Sequence, residues 1–192
     1  MLKIVAFNGS ARKGGNTRVM LEAVLKPLQE AGAQTELIEL AGTNPKGCRA
    51  CFVCIKKKDG SCAIKDDIVN QCVDKMAGAD AIILGSPTYF ADVTTEMKAL
   101  IDRCGMVGRA NGNLYRRKIG AAVAVARRAG EIHAFDTMNH FFQINHMIVV
   151  GSSYWNIGLG REKGEVASDQ EGMKTMADLG DNIAWLLGKI KG

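Results

Sequence analysis

The chain has 192 residues, 47% of them hydrophobic and 23% charged, with a formal net charge of +5. That length suits one well-buried domain and is short for two; the composition is that of a soluble globular protein, and no stretch nears the roughly 18 uninterrupted apolar residues of a membrane span. The charge excess is local: residues 46–65 hold six basic residues against Asp59 alone, while basic and acidic residues elsewhere balance at 19 each, unlike the spread basic stripe of a nucleic-acid binder.

Met1-Leu2-Lys3 leads straight into a first strand over Leu2–Asn8, leaving no room for a signal peptide, so a cytoplasmic chain is expected. The loop Gly9-Ser10-Ala11-Arg12-Lys13-Gly14-Gly15-Asn16 follows. Val19, Met20, Ala23, Val24 and Leu28 then recur at helical spacing, which places a helix over Thr17–Ala31 with Gly32 as its stop. A strand feeding a helix through such a loop makes an anion site, because the first helical N–H groups lack internal partners and the dipole is positive there. Ser10, Asn16 and Thr17 can add side-chain hydrogen bonds, and Arg12 a charge-assisted one.

Gly9 and Gly14 sit at Walker A spacing, but Gly15 and Asn16 stand where Lys and Ser/Thr are required. The dinucleotide fingerprint also fails, since Ala11 occupies its second glycine. What remains suits a terminal monophosphate such as that of FMN. The bland alternative is an ordinary turn; four phosphate-competent side chains within eight residues argue against it.

Thr35–Leu40 alternates as a half-covered edge strand, and a cysteine-rich insertion follows over about 41–65. Asp66 or Asp67 is expected to cap a short helix reaching about Met76. Ala79–Gly85 is a buried parallel strand running into Ser86-Pro87-Thr88-Tyr89-Phe90. A helix over about Thr94–Met106 precedes the basic loop Arg116-Arg117-Lys118. Ile119–Ala126 is the fourth strand, ending in Arg127-Arg128-Ala129-Gly130. Glu131–His146 is helical, Met147–Gly151 is the fifth strand, and Ser168–Lys189 is the last helix.

Five strands alternating with helices predict an α/β fold with a doubly wound parallel sheet. With strand order 2-1-3-4-5, the crevice lies between strands one and three, flanked by the loops at 9–16 and 86–93. Pro87 stiffens the second loop, while Tyr89 and Phe90 can pack on a planar ligand or simply close the core. Arg127 and Arg128 can place positive charge near a flavin ring, or one of them can serve a surface ion pair.

Cys48, Cys51, Cys54 and Cys62 are spaced x2, x2 and x7. Three thiolates at x2 intervals with a distant fourth suit a [4Fe–4S] cube; zinc is the second choice and a redox disulfide the third. The flanking lysines would offset the cube's negative charge. Cys72 and Cys104 read as core thiols, and His133, His140 and His146 as satisfied or exposed helix residues.

With these residues in view, the chain resembles a known family. Gly9-Ser10-x-Arg12 with Asn16-Thr17, the Gly85-Ser86-Pro87-Thr88-Tyr89 loop and the cysteine run together look like the iron–sulfur flavoproteins. These are a branch of the flavodoxin-like NADPH-dependent FMN reductases. The resemblance implies a flavodoxin-like fold, FMN, a [4Fe–4S] cluster after strand two, and a homodimer or homotetramer in which one subunit's cluster serves a neighbour's flavin. It implies that Ser10, Arg12, Asn16 and Thr17 hold the phosphate. Pro87, Thr88, Tyr89 and Phe90 with Arg127, Arg128, Ala129 and Gly130 would frame the ring, and the four cysteines would ligate iron.

The expected function is an FMN-dependent electron-transfer oxidoreductase relaying electrons between flavin and cluster, with NAD(P)H as a donor on resemblance alone. No catalytic nucleophile or carboxylate pair is expected, because the flavin carries the chemistry. One alternative is an NAD(P)H-dependent FMN or quinone reductase without a cluster. Another is a non-enzymatic flavin carrier whose basic insertion docks an acidic redox partner such as a ferredoxin.

Overall fold

The computed structural model describes residues 1–191. Its parallel sheet runs β2-β1-β3-β4-β5, with β6 also pairing with β4. β1 is Lys3–Asn8, β2 Gln34–Glu39, β3 Ala81–Pro87, β4 Ile119–Ala126, β5 Ile148–Val149 and β6 Ile157–Leu159. The helices are α1 (Asn16–Glu30), α2 (Val53–Lys57), α3 (Val69–Gly78), α4 (Thr95–Ala110), α5 (Glu131–Ile144) and α6 (Gln170–Lys191), with a 3-10 turn at Glu165–Ser168. Among the described residues, no helix is long and apolar enough to cross a membrane.

The central strands are apolar on both faces because helices cover both. Val5, Phe7, Ile82 and Leu84 point into one layer with α3, α4 and α5. Ile4, Ala6, Ala81 and Ile83 point into the other, against α1 and α6. The alternation follows the two-residue period of a strand. On α1, Met20, Leu21, Val24, Leu25 and Leu28 are all buried, each worth about 1.5–3 kcal/mol before ordering entropy is subtracted. α1 and α6 approach so closely that a Cβ on Gly180 would stand 2.4 Å from the Val24 carbonyl oxygen.

The strand order matches the expectation, and the element ends shift by a few residues. Two features differ. The fifth strand is not one run over 147–151. β5 pairs only with Ile119 and Gly120 at the start of β4, and β6 pairs with Ala124–Ala126 at its end. The intervening segment carries Tyr154 and Trp155, both about half exposed, so a gap interrupts one strand position. The cysteine insertion also contains α2, which its lysine-rich sequence conceals.

The crevice forms at the carboxyl ends of β1 and β3. Gly9 N–H donates to the Gly85 carbonyl (2.8 Å), and a Cβ on Gly9 would lie 2.9 Å from Met97 Cβ. Thr94, the N-cap of α4, donates its hydroxyl to the Gly9 carbonyl (2.7 Å) and accepts from Met97 N–H (3.2 Å). Thr94 N–H donates to Ser86 Oγ (3.1 Å). These bonds tie the two loops together.

Candidate functional site

The loop after β1 is preshaped. Asn8, wholly buried, accepts from Ser10 N–H (3.0 Å) and donates Nδ2 to Glu39 Oε2 (2.7 Å). Ser10 Oγ accepts from Arg12 N–H (3.1 Å). Gly14 adopts φ +63°, where a side chain would be strained. Gly15, the N-cap of α1, offers no side-chain cap, and the first turn holds no acidic residue. The helix's first N–H groups and positive dipole end therefore face the crevice uncompensated.

A cavity of about 310 Å³ opens there, lined by Ser10, Arg12, Asn16 and Thr17 from the first loop, Pro87, Thr88 and Tyr89 from the second, and Arg127 after β4. Eight of the twelve residues expected to hold the flavin thus line one cavity. Thr88 Oγ1 is buried and has no hydrogen-bond partner. A buried hydroxyl without a partner is costly, so the atom fits a site completed by a polar ligand.

Phe90, Arg128, Ala129 and Gly130 lie outside that lining. Phe90 is fully exposed and Tyr89 is 46% exposed, so neither closes the core. They sit in a tight turn in which Tyr89 and Asp92 exchange backbone hydrogen bonds (2.8 and 3.1 Å). Phe90 and Ala91 at its centre both have positive φ, +49° and +60°, which costs non-glycine residues about 1–2 kcal/mol each. Gly130 caps α5 at φ +92° behind the site, where an added Cβ would stand 3.3 Å from Ala91 and 3.5 Å from Thr88. Arg128 and Ala129 are exposed.

Sequence reasoning missed the fourth wall. Gly160 and Arg161, after β6, complete the cavity. Arg12 Nη1 donates to the Arg161 carbonyl (3.2 Å). Asn16 Oδ1 accepts from Gly164 N–H (2.7 Å) and Val166 N–H (3.4 Å). Much of Asn16 is therefore spent pinning this segment, with Nδ2 left as its donor. The available signal was Gly158-Leu159-Gly160-Arg161, a second glycine-rich turn carrying a cation.

The insertion rests on α3 and α4. Cys48 and Cys51 are exposed, Cys54 is buried, Cys62 is partly buried, and none is in a disulfide. All four line one narrow apolar gap of about 20 Å³ with Ile64, Met106 and Val107. Among the described residues, no three His, Cys, Asp or Glu side chains gather as a metal site. Ala50, Phe52 and Lys58 hold positive φ along this loop. Four thiols free of disulfides and bordering one gap are a donor set that suits a metal–sulfur group. Burial pushes the Cys54 thiol up. Cys72 and Cys104 lie buried on α3 and α4; burial raises Cys72 to about 12 and Cys104 well above the usual thiol value, so both are inert as thiolates.

The keystone is Arg103 on α4, whose side chain is wholly buried. Nε donates to Cys62 Sγ (3.3 Å), Nη1 to the Lys46 carbonyl (3.0 Å), and Nη2 to the Ile64 carbonyl (3.1 Å). Nη1 also pairs with Asp67 Oδ2, whose side chain is 1% exposed. Burial alone would raise the Asp67 carboxyl, but the Arg103 hydrogen bond, the backbone N–H bonds from Lys46 and Val69 and the Arg103 charge together outweigh it and hold it below the usual range. Asp67 Oδ1 also accepts from Val69 N–H (3.1 Å) at the start of α3. Asn70 brackets Cys62, accepting from its N–H (2.7 Å) and donating to its carbonyl (3.2 Å).

The family profile for NADPH-dependent FMN reductase matches residues 2–162. The chain is 36% identical to an iron–sulfur flavoprotein of Methanocaldococcus jannaschii, over 99% of this chain and 100% of that protein. It is 30% identical to an iron–sulfur flavoprotein of Methanosarcina thermophila, over 99% and 97% of the two chains. Among solved structures, an NADH:FMN oxidoreductase in its apo form shares the fold with a TM-score of 0.68 and 19% identity, over 97% and 90% of the chains. The carboxyl-edge cavity and these likenesses agree: the chain belongs to the NADPH-dependent FMN reductase family and is a flavin-dependent oxidoreductase of flavodoxin-like fold.

Proposed function

We propose that the chain relays electrons between FMN in the carboxyl-edge cavity and a [4Fe–4S] cluster on Cys48, Cys51, Cys54 and Cys62. The observation that carries this reading is that those four cysteines, none in a disulfide, all border one apolar gap. The names of the iron–sulfur flavoproteins over nearly the full length support it. FMN supplies two-electron and one-electron chemistry, and a cube supplies a one-electron store.

The chain's own residues bind and orient. The uncapped start of α1, with Ser10, Thr17 and Arg12, meets the phosphate; Thr88 offers its unpartnered hydroxyl to the flavin, and Arg127 places a cation at the cavity wall. In this reading 1–192 is one flavodoxin-like domain with an insertion at about 41–65. It assembles as a homodimer or homotetramer and serves a ferredoxin-like protein or a small acceptor such as a quinone.

The test is the content of iron, zinc and FMN after oxygen-free purification. About four iron atoms and one FMN per chain are expected, and Cys51→Ser should remove the iron and its visible absorption while FMN stays. Iron absent from the unsubstituted protein, or absorption that survives Cys51→Ser, would overturn the assignment. A second reading, an NAD(P)H-dependent FMN or quinone reductase without a cluster, is favoured by the narrowness of the thiol-lined gap. Undiminished NADPH–quinone turnover in the cysteine variants would select it.

A further inference from the structure

Arg103 makes its contacts where the cysteine reading needs them. A guanidinium with no solvent exposure is rare and is retained only when paired. Here it spans the insertion from Lys46 to Asp67, and one of its N–H groups, Nε, ends on a sulfur (3.3 Å). Docking alone would be served by the carbonyls of Lys46 and Ile64 and the carboxylate of Asp67. Beyond those three, the guanidinium also meets the sulfur of Cys62 (3.3 Å). A donor and a positive charge fixed at a ligand sulfur stabilise whichever redox state carries more negative charge, and hydrogen bonds to the sulfurs are among the determinants of cluster potential.

We propose that Arg103 is a positioning residue for the metal centre, raising the cluster's reduction potential through its Nε–H bond to Cys62 while Asp67 fixes the guanidinium's orientation and partly offsets its charge. This rests on the cluster reading above. It implies that two substitutions which both loosen the insertion act on the potential with opposite signs. Arg103→Met removes a cation and a donor, so the centre should become harder to reduce. Asp67→Asn removes an anion and leaves the guanidinium to the thiolate, so the centre should become easier to reduce. A purely structural pair would lower stability in both variants and move the potential the same way in both, or not at all.

The experiment is an anaerobic redox titration of the iron-loaded full chain, read by electron paramagnetic resonance of the cluster, with the FMN potential in the same sample as internal control. The expected result is a negative shift for Arg103→Met, a smaller negative shift for Arg103→Lys, a positive shift for Asp67→Asn, and an unmoved flavin. Should Arg103→Met fail to fold or to load iron, Arg103→Lys and Asp67→Asn decide by the same criterion of opposite sign. Iron-loaded variants whose cluster potentials match the unsubstituted protein, or shift together, overturn the inference alone. An unsubstituted protein that binds FMN but takes up no iron on anaerobic reconstitution overturns both the inference and the reading beneath it.

Discussion

At the residue scale, the site is marked by a group that the fold leaves incomplete. Thr88 N–H is satisfied by the Val125 carbonyl (2.7 Å), yet its hydroxyl oxygen is buried with no partner. Thr88→Val keeps the shape and removes the hydroxyl. The free protein then loses a polar group that was buried without a bond, so its stability should rise by about 1 kcal/mol. The flavin complex loses a hydrogen bond, so FMN affinity should fall about fivefold to tenfold. Thermal unfolding of the flavin-free protein and quenching of FMN fluorescence on titration measure the two effects separately. If FMN binds the valine variant as tightly as the parent, the hydroxyl does not face the ligand.

At the scale of elements, legibility followed sequence distance. The apolar runs of β1, β3 and β4 and the period of α1 are local signals; they mark a doubly wound fold, and the strand order of that fold places the crevice. The shaped loop after β1 is legible for the same reason. Asn16 lines the cavity but bonds Gly164 and Val166, some 150 residues away, and no local pattern announces that pairing. β6 was missed because Ile157-Gly158-Leu159 is only three residues long, too short to show a period. Asp67 was expected as a helix cap. It does accept from the first N–H of α3, but its second oxygen pairs with Arg103, far along the chain.

That pair makes the docking of the insertion sensitive to acid. The folded state depresses the Asp67 carboxyl, so its contribution is present above the ordinary carboxylate value of about 3.9. It is lost as pH falls from there through the depressed folded value. Asp67→Asn should cost about 3–5 kcal/mol at neutral pH, because it leaves a buried guanidinium uncompensated. The gap between parent and variant should narrow as the solution is brought into that window. Urea unfolding of the metal-free protein at pH about 7 and about 3 compares the two. An equal gap at both would show that the ion pair does not govern docking.

At the scale of the whole molecule, the unequal spread of charge bears on how electrons arrive. The formal excess of +5 lies within residues 46–65, and the remainder of the chain is balanced. Lys56, Lys57 and Lys58 close α2 and are all exposed, so they cannot be explained by packing. Placed on the loop that carries the four cysteines, they gather positive charge beside the proposed cluster. Such a patch steers an acidic partner and raises its association rate by tenfold or more at low ionic strength, an advantage lost once the Debye length shrinks to about 8 Å at physiological salt. Reduction of the protein by an acidic ferredoxin should therefore slow about tenfold between low and physiological salt. Replacing Lys56, Lys57 and Lys58 by Gln should lower the low-salt rate and flatten its salt dependence, while reduction by an uncharged quinol stays as it was. Stopped-flow rates across a salt series supply the measurement. A ferredoxin rate indifferent to salt in the parent protein would mean that the basic loop serves only the charge of what the cysteines hold.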